Sequence, residues 1–162
     1  MITVVVDDLA SLQVDALLRP AGEALEPLTP AARRLDQLGG QRFAEQHRVT
    51  SPLEAGAAVV TGGGDLVAPF VIHAVIRDSR RPVATATVRR ALVSAWQQAG
   101  AWELGRVAAP PVGADGGLGL EQAVALLVET FPGYGAHPTE LWIVVERQED
   151  REAVEAILRR SA

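Results

Sequence analysis

The apolar residues of this chain fall in short, unbroken runs, and segments of helical period fall between them. The runs are ITVVV (2–6), DALLRP (15–20), GAAVVTG (56–62), APFVIHAVI (68–76), GRVAAPPV (105–112) and TELWIVVE (139–146). None alternates polar with apolar, so each reads as a strand covered on both faces rather than one side of a solvated sheet. Between them, TPAARRLDQL (29–38) opens with Thr29 as N-cap and Pro30 at the first helical position, and should break at Gly39-Gly40. TATVRRALVSAWQQAG (85–100) places Val88, Leu92, Trp96 and Ala99 on one face and ends at a glycine. GLEQAVALLVETF (119–131) spaces Leu120, Ala123, Val124, Leu127, Val128 and Phe131 at helical steps. EDREAVEAILRR (149–160) should bury Ala153, Val154, Ile157 and Leu158. The expected fold is α/β: a three-layer α/β/α sandwich with a mixed, mostly parallel central sheet of about six strands. Residues 2–6, 69–76 and 139–146 should be the most buried strands. No repeat or linker divides residues 1–162, so one domain is expected.

Composition removes several chemistries. There is no cysteine, hence no disulfide, thiolate metal site or thiol nucleophile. There is also no lysine: all fifteen basic residues are arginine, which excludes Schiff-base chemistry and a P-loop lysine. His47, His73 and His137 show no metal spacing, and no cofactor is indicated. The net charge of −5 makes nucleic acid an unlikely partner. The local basic cluster RDSRRP (77–82) reads most simply as a solvated loop. No apolar run approaches the ~20 residues that cross a bilayer. MITVVVDDL has no basic n-region, so it does not read as a signal peptide, and a cytoplasmic protein is expected.

In an open sheet of this kind, ligands bind beyond the carboxyl ends of the strands. The loops at those ends are Asp7-Asp8, Arg19 to Gly22, Arg77 to Pro82 and Val112 to Gly119. PVGADGGLGLEQA is the most chemical of them. Its glycines let backbone amides approach a ligand, and a helix N-terminus follows. That suits a phosphate, although the spacing is neither G-x-G-x-x-G nor a P-loop, and a simple tight turn satisfies the pattern equally. In GAAVVTGGGDLVAPFVIHAVI (56–76), Gly62 to Gly64 read as a strand connection. His73 reads as a packed, hydrogen-bonded histidine.

The order of these motifs resembles a known family. VVVDDLASLQVDALLRPAG is similar to the opening of a macro domain, the ADP-ribose-binding family, in which a strand, a short helix and an Asp-Ala-Ile-Val-Asn-Ala-Ala-Asn run follow one another. GAAVVTGGGDLVAPFVIHAV resembles the macro segment with a strand ending Thr-x-Gly and a later Val-Ile-His-Ala-Val. PPVGADGGLGLEQA resembles the second glycine loop and its helix. The resemblance implies that Asp8 accepts from an adenine amino group, with Leu9 beside it. It implies that Ala21 and Gly22 stand near the distal ribose. Val112, Gly113, Ala114, Asp115, Gly116, Gly117 and Leu118 would wrap a diphosphate.

Departures from the family pattern bear on activity. Arg19-Pro20-Ala21-Gly22 replaces Asn-Ala-Ala-Asn, and Gly22 has no side chain where hydrolytic members carry asparagine. The proline-rich EALEPLTPAARR replaces the first glycine loop, with Glu23, Glu26 and Asp36 as the nearby carboxylates. Asp115 puts an anion where a diphosphate would lie. The expected function is a divergent binding module for ADP-ribose or a related nucleotide, with no catalytic residue assigned. The alternative is a macro fold that has lost nucleotide binding and serves as an assembly or regulatory partner. An ADP-ribosyl hydrolase is the least favoured.

Overall fold

A computed structural model of the chain describes residues 1–133 and 135–161. Six strands form one sheet: β1 (Ile2–Val6), β2 (Ala16–Gly22), β3 (Ala58–Gly62), β4 (Phe70–Arg77), β5 (Arg106–Ala109) and β6 (Glu140–Val145). Their order is β1-β6-β5-β2-β4-β3. All neighbours are parallel except β3, which runs antiparallel on the edge beside β4. Four helices cover it: α1 (Pro30–Glu45), α2 (Thr85–Ala101), α3 (Gly119–Thr130) and α4 (Gln148–Ser161).

Unbroken apolar strands make sense because both faces are covered. Along β2, Leu18 enters a core formed with Val88, Leu92 and Trp96 of α2, Leu127 of α3 and Val154 of α4. Its neighbour Leu17 points the other way, into a core with Leu35 and Phe43 of α1. Successive side chains on a strand face opposite sides, so one strand feeds both cores. The result is the expected three-layer α/β/α sandwich with a mixed, mostly parallel sheet. No helix of the described residues is long and apolar enough to cross a membrane.

Three local readings are corrected. β1 is an edge strand, and only Val4 of its five residues is buried, whereas every residue of β2 is. Burial follows a strand's place in the sheet, which its own composition does not reveal. Ala153 is exposed, although Val154 and Ile157 of the same helix are buried. The first helix does break at the glycine pair, with Gly40 at φ 76°, but helical geometry resumes and runs on to Glu45. The break has a partner in the structure. Asp65 N donates to the Gly39 carbonyl (2.9 Å), and a β-carbon on Gly40 would strike the Asp65 carboxylate. Gly64, at φ 58°, lies as closely against Gly39 and Phe43. The Gly62–Gly64 run is therefore a strand connection that needs glycine in order to dock on the kink of α1.

Candidate functional site

A cleft of about 610 Å³ opens across the carboxyl ends of the parallel strands. Its floor is Pro20 at the end of β2, Ile76 and Arg77 of β4, Pro110 and Pro111 after β5, and Val144 and Val145 of β6. One wall is the loop Gly113 to Gly116, and the other is the start of α1, Leu28 to Ala31. Glu146, Arg147 and Asp150 close the β6 end.

The loop wall needs its glycines. Gly113 (φ 93°) and Gly117 (φ 109°) flank a single 3-10 turn, Ala114–Gly116, and both take the left-handed conformation. The Gly113 carbonyl accepts from Gly116 N and Leu118 N, and Leu118 packs over Gly113. Val112 is fully buried beneath the loop. No side chain caps α3, and Leu120 of its first turn lines the cleft. Uncapped first-turn amides carry a partial positive charge and suit an anion. Asp115 is exposed on the same wall and lines the cleft. Opposite, Thr29 Oγ1 accepts from Ala32 N (3.1 Å) and the Thr29 carbonyl from Arg33 N, while Pro30 has no N–H. Ala31 alone keeps a first-turn amide without an acceptor among the described hydrogen bonds. The α1 wall is thus mostly apolar; on the loop wall Ala114 N and Gly116 N donate to the Pro111 and Gly113 carbonyls, and the guanidinium-bearing Arg77 and Arg147 also line the cleft.

The other residues singled out from the sequence do not join this lining. Asp8 caps the 3-10 turn Leu9–Ser11, its Oδ1 accepting from Ala10 N (3.2 Å). Its Oδ2 pairs with Arg34 Nη2 of α1 at 2.9 Å, a contact that raises the Arg34 pKa, as hydrogen bonding to a carboxylate does. Leu9 is buried in the α1 core. Ala21 and Gly22 are buried behind Pro20, with Gly22 N donating to the Glu26 carbonyl. The Glu26 carboxylate occupies the space that a side chain at position 22 would fill. Gly117 and Leu118 adjoin the wall without lining it.

Behind the floor lies a polar node not anticipated from the sequence. Arg19 of β2 is fully buried. Its Nε donates to His73 Nδ1 (2.9 Å), and its Nη2 donates to the Leu25 carbonyl (2.6 Å). Leu25 stands at φ 61°, so the guanidinium pins a backbone conformation that side chains disfavour. Asp36 Oδ1 lies 3.7 Å from Arg19 Nη2. Because His73 Nδ1 accepts, its Nε2 carries the proton and donates to Thr61 Oγ1 (2.8 Å), and Thr61 donates onward to the Gly62 carbonyl. This confirms His73 as a packed, hydrogen-bonded residue. Burial, then the Arg19 charge and then His47, hold its pKa well below the usual histidine range. His47 meets His73 edge-on at 5.0 Å, and burial followed by Arg19 lowers its pKa to about 4. Burial raises the Asp36 pKa more than Arg19 lowers it. The visible signal was an arginine inside the apolar run ALLRP, which the strand pattern left without a partner.

Comparison with known proteins agrees with this geometry. The family model described as Macro domain matches residues 20–127. An uncharacterized protein of Aeropyrum pernix is 32% identical over 145 residues, spanning 83% of this chain and 76% of that protein. Among solved structures, the Oceanobacillus iheyensis macrodomain with ADP superposes at a TM-score of 0.84, with 16% identity over 98% of this chain and 90% of that one. The Trypanosoma brucei macrodomain in complex with ADP-ribose gives 0.83, with 17% identity over 97% and 68%.

Proposed function

The chain belongs to the macro-domain family, and from that premise we propose that its cleft binds ADP-ribose or a closely related nucleotide. The carrying observation is the Gly113–Gly116 wall, where the left-handed Gly113 and, from the uncapped first turn of α3, Leu120 line a cleft at the strand ends. A diphosphate along that wall meets backbone donors and the positive end of a helix. The two structural neighbours described as holding ADP and ADP-ribose support the same ligand class. Asp8 then recognises the adenine amino group. Arg34 competes for Asp8 Oδ2, since the ion pair already takes one acceptor site of that oxygen, and Asp8 lies outside the cleft lining. A cytoplasmic location completes the proposal.

No catalytic residue is assigned. Gly22 brings no polar side chain to the floor, and the Glu26 carboxylate above it lies outside the cleft lining. A second reading, a macro fold without a nucleotide site that serves as an assembly partner, draws on the Arg34–Asp8 pair and on Asp115 facing the cleft. Thermal unfolding with ADP-ribose, and separately with adenosine, discriminates the two. A ligand that binds only the native state adds about 2.7 kcal/mol at a hundredfold excess over its Kd. A dose-dependent rise in Tm with ADP-ribose supports the binding module. No rise at millimolar ADP-ribose supports the second reading.

A further inference from the structure

We propose that the loop joining β4 to α2 is a docking rim for an acidic polypeptide segment, entered from the β4 end of the cleft. Eight of the fifteen arginines take part in ion pairs among the described residues. Of those that do not, Arg77 ends β4 and Arg80 and Arg81 follow in this loop, and all three are exposed. Arg77 also lines the cleft, so the basic rim is continuous with it.

The one acid in the loop is already engaged. Asp78 Oδ1 accepts from Arg80 N (2.8 Å) and Arg81 N (2.7 Å), and Asp78 N donates to the Arg81 carbonyl (3.2 Å). The first of these backbone contacts is the largest influence lowering the Asp78 pKa. Its charge offsets one arginine, leaving residues 77–81 at +2 in a chain of net charge −5. The same bonds hold the loop in one closed shape, so little ordering is needed when a partner arrives.

Three guanidinium groups without an ion pair among the described residues could meet carboxylates or phosphodiesters, and one observation favours carboxylates. Single strands of nucleic acid are held by basic grooves together with aromatic platforms for the bases. Among the described residues, the one aromatic of the exposed large apolar ones, Trp102, lies just beyond the far end of the 17-residue α2, about 25 Å of helix from the rim. The overall negative charge repels any long polyanion beyond the rim, so the occupant is a short segment. Arginine pairs with carboxylates through two parallel hydrogen bonds, which gives such a segment a defined register.

Fluorescence anisotropy with labelled oligo-glutamate, without nucleotide, tests this independently of what the cleft binds. The parent should bind the peptide at low salt, and Arg77→Gln/Arg80→Gln/Arg81→Gln should bind about tenfold more weakly with an unchanged Tm. The double variant Arg48→Gln/Arg159→Gln, altered elsewhere in the fold, should bind like the parent. Binding should fade by about 0.5 M salt, where exposed charges are screened. Equal loss in both variants, no loss in the triple variant, or no binding by the parent overturns the proposal. Tighter binding of an oligothymidylate of matched charge also overturns it and identifies the rim as a nucleic-acid surface.

Discussion

Lowering the pH from 7 to 5 should cost the folded protein about 3 kcal/mol of stability through two histidines, with no change in its surface contacts. His73 is buried and held neutral, and the His47 pKa is lowered to about 4. Both titrate near 6.5 in the unfolded chain. The unfolded state therefore binds more protons between 6.5 and 4, so this stabilisation is complete above pH 6.5 and is lost as the pH falls through that window. A group that stays neutral at pH 5 while its unfolded form titrates at 6.5 forfeits about 2 kcal/mol, whatever its native pKa below 5. Two such groups give about 4 kcal/mol. Partial exposure of His47 reduces this, and Asp36, whose pKa is raised by burial, contributes with the opposite sign. Urea unfolding at pH 7, 6 and 5 measures the loss. His47→Phe keeps the edge-on aromatic contact with Phe43 and His73, and His47 Nε2 makes no hydrogen bond that would be forfeited. The variant should show about half the parent's slope. A parent stability flat between pH 7 and 5, or a variant with the full slope, would refute the account.

Asp115→Gly should tighten ADP-ribose binding about fivefold at low salt and leave adenosine unaffected, since a like charge a few ångströms away in a wet cleft costs ~1 kcal/mol; calorimetry at two ionic strengths checks it. Asp8→Ala should weaken ADP-ribose by ~1–3 kcal/mol, whereas Arg34→Ala, which frees Asp8 Oδ2, should strengthen it; opposite signs in the same titration are the signature. Arg19→Met removes the donor to His73 and Leu25 and leaves Asp36 without its buried counter-ion. Chemical denaturation should show a loss of ~3–5 kcal/mol. Gly40→Ala should cost at least ~1–2 kcal/mol in the same assay, because φ 76° is left-handed and Asp65 occupies the β-carbon position.

Local, periodic features were legible without coordinates. The apolar runs mark all six strands, amphipathic spacing marks α2, α3 and α4, and the Thr29-Pro30 start marks α1, because each is decided by neighbours within a turn or a strand length. The Thr29-Pro30 start and the glycine-rich entry to α3 belong to the same class, since caps and turns are short-range chemistry. The Gly113–Gly116 part of the proposed site was visible for that reason.

What the tertiary structure alone decided are pairings between residues far apart in the chain. Asp8 reads as an adenine-binding carboxylate, and only the packing of α1 brings Arg34 to it across 26 positions. Arg19 reads as an interruption in a strand until β4 sets His73 beside it, 54 positions away. β1 is as apolar as any strand, yet the sheet order leaves it at an edge. A side chain's charge and size are written in its own residue, but its burial and its partner depend on which elements pack together, and that depends on the whole chain at once.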